Sequence, residues 1–148
     1  GLGPLVMVLD RFLAFPLYPQ YSRTTTKGAL ERSRAAVERF APQASFHAIG
    51  SFPTDPLFVE AHAESIREQL ARFEDPRPEA VHLLFSAHSI PKKLVTVEGD
   101  PYAAEIEASC RAIVERLSWS GPWSRTIVPV SAIPTRAAVT TASTSSRS

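Results

Sequence analysis

The run Val81-His82-Leu83-Leu84-Phe85-Ser86-Ala87-His88-Ser89-Ile90-Pro91 decides the fold class. Val81 to Phe85 is apolar nearly throughout, the pattern of a parallel strand covered on both faces. The run then sets an imidazole between two serines, and Gly99-Asp100-Pro101-Tyr102 follows after a short loop. A strand that hands a histidine to a loop ahead of a helix is an α/β arrangement. Open α/β sheets bind ligands beyond the carboxyl ends of their strands. His88 is therefore the leading candidate for a working residue.

The same reading extends in both directions. Asp100-Pro101 starts a helix that runs to Leu117, with Tyr102, Ile106, Cys110, Ile113 and Leu117 as its apolar stripe. Pro91 to Gly99 is expected to be a loop. Upstream, Asp55 caps a helix with Pro56 at its first position. That helix should reach about Phe73 and bury Phe58, Ala61, Ile66, Leu70 and Phe73, with Glu68 and Arg72 paired on the wet face. Phe46 to Gly50 reads as a short strand. Phe12 to Phe15 reads as another, ended by Pro16. Leu17 to Ser22 is a loop because two prolines break regular pairing. Thr24, Thr25 and Thr26 are candidate caps for a helix to about Phe40, with Leu30, Val37 and Phe40 on its apolar face. The alternation of strands and helices predicts a parallel sheet.

Composition excludes several classes. The 148 residues suit one domain. A formal net charge of +1, from 16 basic and 15 acidic residues, argues against a nucleic-acid binder. Cys110 is the only cysteine, so an intramolecular disulfide and an all-cysteine metal site are both excluded within one chain. No apolar stretch approaches the length of a membrane span, and no signal-peptide pattern opens the chain. The expected location is cytoplasmic. All 15 acidic residues lie at or before Glu115. From Ser131 onward half the residues are Ser or Thr, so residues 129–148 are expected to form a disordered tail.

His88 has no metal-ligand neighbours within ten residues, so it is either a base or a transient ligand assisted from elsewhere in the fold. A Ser-His hydrolase is disfavoured because G-x-S-x-G is absent. Tyr18-Pro19-Gln20-Tyr21-Ser22 with Thr24 to Thr26 could line a pocket for a flat aromatic ligand or could simply be turn and cap residues. Phe52 could stack on a ligand or anchor its loop. His47, His62 and His82 do not cluster at metal-ligand spacing and read as surface or partly buried structural residues. Cys110, on the apolar stripe, should be buried and inert.

Taken together, the motifs resemble ferrochelatase, the family that inserts ferrous iron into a porphyrin. The matching residues are Pro16 to Ser22, Thr24-Thr25, Phe85 to Pro91, Gly99 to Tyr102, and Glu105. The resemblance implies a fragment of a two-lobed fold, each lobe a parallel sheet flanked by helices. Residues 1–56 would end the first lobe and 57–128 would start the second. It implies that His88 removes pyrrole protons, binds the metal, or does both. Tyr18, Thr24 and Phe52 would line the porphyrin pocket. Where some members carry a cysteine for an iron–sulfur cluster this chain has Arg23, so no cluster is expected. The implied function is insertion of ferrous iron into protoporphyrin IX or a close porphyrin, late in haem biosynthesis.

The resemblance is expected to stop after Leu117, since the family's Q-S-x-x-G-P and H-x-E-T-L segments have no counterpart. The tail would then come from a truncated gene or another reading frame, and the chain itself would be an inactive fragment. The alternatives are a non-catalytic tetrapyrrole-binding fragment and a cobalt or nickel chelatase. Peripheral membrane association and oligomeric state are left open.

Overall fold

The computed structural model describes residues 9–127. Its elements are β1 (Arg11–Ala14), α1 (Gly28–Phe40), β2 (Ser45–Ala48), α2 (Pro56–Leu70), β3 (Leu83–Ala87), α3 (Lys92–Thr96), α4 (Tyr102–Leu117) and β4 (Trp123–Ile127). β1 and β2 pair in parallel, Arg11 opposite Ser45 and Ala14 opposite Ala48. β3 and β4 pair in parallel, Leu83 opposite Trp123 and Ala87 opposite Ile127. Parallel neighbours need a long crossover, and each pair has a helix in it. The described chain is thus two β-α-β units joined by α2, an α/β architecture.

The core lies where α2 meets α4. Val59 and Ala63 from α2 pack with Ile106, Cys110 and Ile113 from α4, all buried. On α4 the expected stripe is the one that is buried. On α2 it is rotated: Val59 and Ala63 are inside, Phe58, Ile66 and Leu70 are half-buried, and Ala61 is exposed; the helix stops at Leu70, so Phe73, also exposed, lies beyond it. Asp55 caps α2 as expected, its side chain accepting from the N–H groups of Leu57 and Phe58, with Pro56 in the first turn. Instead of a Glu68–Arg72 pair, the structure shows Glu60 held between Arg67 and Arg116, and Arg67 Nη2 also donates to the Arg116 carbonyl at 3.1 Å. These bonds tie α2 to the end of α4.

Four other expectations are corrected. The strand expected over Val81 to Phe85 runs from Leu83 to Ala87, because its pairing with β4 begins at Leu83. It is covered on one face only: Leu83, Phe85 and Ala87 are half-buried, whereas Leu84 is 65% exposed. Pro91 to Gly99 contains the single helical turn α3. The helix that leads into α1 is capped by Ser22, not by a threonine. Ser22 Oγ accepts from the Thr24 N–H, and its carbonyl accepts from Lys27 N–H at 3.1 Å, so Arg23–Lys27 forms one wide π-helical turn. Phe40, placed on the apolar face of α1, is 77% exposed beneath the Arg39 guanidinium. Residues 129–148, read as a separate tail, lie outside the described residues.

Candidate functional site

Two loops and two helices enclose the site. β3 ends at Ala87, so His88 stands exposed at its carboxyl end. Opposite is the Tyr18–Ser22 loop, which leaves β1 through Pro16 and turns into the helical segment at Arg23. A cavity of about 530 Å³ opens between them. Its walls include Tyr18, Thr24 and Thr25 from the loop side, Phe85 and His88 from the strand side, and Tyr102, Ile106 and Cys110 from α4. Volumes of this order hold small organic ligands, and an apolar lining with a few polar groups is usual for them.

What holds the loop against the strand unit is a set of hydrogen bonds to the start of α4. Asp100 is 3% exposed and Ser22 is fully buried. Asp100 Oδ2 accepts from Ser22 Oγ at 3.1 Å and from the Arg23 N–H at 2.8 Å, while Oδ1 accepts from the Tyr102 N–H at 3.0 Å. One carboxylate therefore satisfies the first free N–H groups of two helices, where the helix dipole favours a negative charge. Gly99 makes this geometry reachable. Its φ of 66° is a left-handed turn that glycine adopts without strain, and it delivers Asp100 directly beneath Ser22.

One turn along α4, Glu105 Oε2 accepts from the Tyr21 N–H at 2.7 Å, and Oε1 accepts from Ser51 Oγ at 3.3 Å. Gln20 Nε2 donates to Ser109 Oγ at 2.8 Å. The Ser109 hydroxyl lies 2.7 Å from the Pro53 carbonyl and 3.0 Å from that of Glu105, and shares its single proton between them. Gly99-Asp100-Pro101-Tyr102 and Glu105 thus form the clasp that joins the two walls of the cavity.

The lining is uncharged: among the described residues it contains no carboxylate and no lysine or arginine. Burial pushes the Tyr102 phenol up from its ordinary value. Burial first, and the Glu107 charge second, push the Cys110 thiol up. Both groups stay protonated at neutral pH, so neither serves as a base. The imidazoles of His62 and His88 are left as the lining side chains with a ring-nitrogen lone pair to offer. Among the described residues no group of three or more His, Cys, Asp or Glu is placed to hold a metal ion. A metal reaching His88 would meet an open coordination sphere.

The structure brings His88, Tyr18 and Thr24 onto one cavity and leaves Phe52 behind its wall. Phe52 packs between Phe15, at 5.1 Å between ring centroids, and Phe58, at 6.2 Å. Its N–H donates to the Pro19 carbonyl at 2.8 Å, which anchors the Tyr18 loop. Phe58 is the ring of this stack that faces the cavity. Arg23, at the position weighed for a cluster ligand, reaches Glu98 at 3.5 Å. Sequence reasoning missed His62, which lines the cavity from α2. It also missed the clasp, although the Asp100–Pro101 pair had marked a helix start.

Comparison with known proteins agrees with this arrangement of motifs. The family model described as ferrochelatase matches residues 7–143. The chain belongs to the ferrochelatase family. Ferrochelatase of Aquifex aeolicus (strain VF5) is 41% identical over 110 residues, covering 72% of this chain and 33% of that protein. Ferrochelatase of Synechococcus sp. (strain JA-3-3Ab) is 38% identical over 141 residues, covering 82% of this chain and 40% of that protein. The mitochondrial ferrochelatase of Xenopus laevis is 36% identical over 121 residues, covering 78% of this chain and 28% of that protein. The chain thus spans between 28% and 40% of the length of these relatives. One expectation changes with them. The ferrochelatase match was expected to end after Leu117, and the family model continues to residue 143.

Proposed function

We propose that this cavity is part of a site where ferrous iron is inserted into protoporphyrin IX or a close porphyrin, and that His88 is its proton-accepting and metal-contacting group. The observation that carries the reading is the meeting of His88, Tyr18 and Thr24 on one cavity, although they come from motifs more than sixty residues apart. Metallation needs two pyrrole protons removed and water stripped from Fe²⁺. A neutral imidazole does the first as a general base. It can steady the metal for the second without trapping it, because one nitrogen ligand leaves the coordination sphere open where a full ligand set would close it. Ferrous iron is a substrate here, and the reading requires no iron–sulfur cluster. Tyr18 and Thr24 supply a ring and a hydroxyl to the porphyrin face and rim.

Mesoporphyrin titrated into the 148-residue chain, followed by its absorbance and by tryptophan fluorescence, tests this. Saturable binding at one porphyrin per chain is expected. Tyr18→Ala should weaken it about threefold to tenfold, the value of one aromatic contact. His88→Ala should leave porphyrin affinity unchanged and suppress iron uptake into the bound ring. Absence of saturable binding, or indifference to Tyr18→Ala, would overturn the reading. Porphyrin binding without iron insertion, unchanged in His88→Ala, would favour a tetrapyrrole-binding role instead, and competition by Co²⁺ or Ni²⁺ fixes the metal.

A further inference from the structure

His62 was expected to be a surface or partly buried structural residue; it is exposed, and it also lines the cavity. It lies on the cavity wall contributed by α2, one helical turn after Phe58, with the two rings 4.4 Å apart. Its Nδ1 is 2.9 Å from the Phe58 carbonyl. A carbonyl oxygen only accepts, so Nδ1 carries the proton and the lone pair of the neutral ring sits on Nε2. A backbone carbonyl on one ring nitrogen is the usual device that orients a histidine and frees its other nitrogen to ligate. His62 also lines a second, mostly apolar cavity of about 350 Å³ between α2 and β3. The first cavity has no carboxylate among its described lining residues, and burial keeps its Cys110 thiol protonated, which leaves imidazole nitrogen as its ready metal donor.

We propose that His62 Nε2 is a second docking point for a divalent transition-metal ion in this cavity, separate from His88. It gives an incoming ion a single nitrogen ligand on the α2 side of the cavity, a weak hold from which the ion can leave. It rests on the proposed function only for the identity of the ion as ferrous iron.

Co²⁺ alone serves as a paramagnetic probe of the ¹⁵N-labelled 148-residue chain, read at the imidazole proton resonances. The decisive arm uses His88→Ala, because a metal at His88 would broaden His62 through space. His88 is exposed, so the substitution leaves packing intact. In that variant His62 should broaden at about tenfold lower Co²⁺ than His47, which lies exposed on β2 and serves as reference. His62→Phe, which preserves the ring contact with Phe58, should remove this event while wild-type broadening of His88 persists. If His62 in the His88→Ala chain needs as much Co²⁺ as His47, the proposal is overturned, whatever His88 does. If His88 itself fails to broaden in the wild type, the proposed function suffers and His62 is still judged by the first arm.

Discussion

Replacing Asp100 with alanine is expected to cost about 4 kcal/mol of folding stability, close to the largest effect a single side chain produces. The Asp100 carboxylate accepts three hydrogen bonds, two of them from backbone N–H groups at helix starts. Hydrogen bonds to a charged acceptor are worth more than neutral ones, and at 3% exposure little water replaces them. Urea denaturation followed by far-ultraviolet circular dichroism would measure the loss. Asp100→Asn separates two causes. Its amide keeps one acceptor oxygen, so it can serve Ser22 and Arg23 or Tyr102, but not all three. About half the loss is expected if acceptor count governs the clasp. An Asn as damaging as the Ala would show that the negative charge between two helix starts matters more. A loss below about 1 kcal/mol for Ala, the worth of an ordinary hydrogen bond, would remove the clasp from the account of how the cavity is held.

Gly121→Ala is the second large effect. A β-carbon at Gly121 would overlap the Pro78 carbonyl oxygen and lie 2.6 Å from its carbon. Those are backbone atoms, which cannot swing aside as a flexible side chain would. Pro78 opens a short turn that leads into β3, and the Pro122 carbonyl next to Gly121 accepts from Leu83 N–H at 3.1 Å to close the first rung between β3 and β4. The methyl group therefore forces the two strands apart where their pairing begins. A loss of about 3 kcal/mol is expected, the upper range for overpacking. It should appear as a fall in melting midpoint on the order of 10 °C. The emission of Trp123, whose ring meets Phe85 edge to face at 6.0 Å, should shift with it. An unchanged midpoint would mean that the Pro78 turn yields freely, and that β3 is not pinned at this end.

The sequence showed the buried face of α4 plainly because Ile106, Cys110 and Ile113 recur at helical spacing with polar residues between them. Asp55-Pro56 was equally legible, since a cap and a first-turn proline act within a few residues of each other. Several of the errors involve partners distant in sequence. β3 was placed two residues early because an apolar run shows where a strand can form, whereas its register with Trp123–Ile127 fixes where it does. β4 itself went unread: Ser124, Arg125 and Thr126 give it no apolar run, and it is a strand because β3 offers it an edge. The three threonines suit a cap by residue type alone. Ser22 caps instead because Asp100 holds it in place. Of the site, His88 and the tyrosine loop were visible as motifs. That Phe52 would sit behind Phe58, and that His62 would reach the cavity, depends on how α2 rotates against α4, which a rotated apolar stripe conceals.

The bonds of the clasp join residues far apart along the chain, 78 positions for Ser22 with Asp100 and 84 for Tyr21 with Glu105. That separation sets an order of events during synthesis. At the usual 5–20 residues per second, the ribosome needs roughly 4–16 s to travel from Ser22 to Asp100. Through that interval β1, α1 and β2 can assemble from neighbouring residues, while the Tyr18 loop has no partner to shape it. Pairing across so many residues also carries the entropy of a long closed loop, which slows it relative to local contacts. The nascent chain therefore acquires α1 early and its cavity last, once the start of α4 has emerged. Until then it has no formed place to hold a ligand.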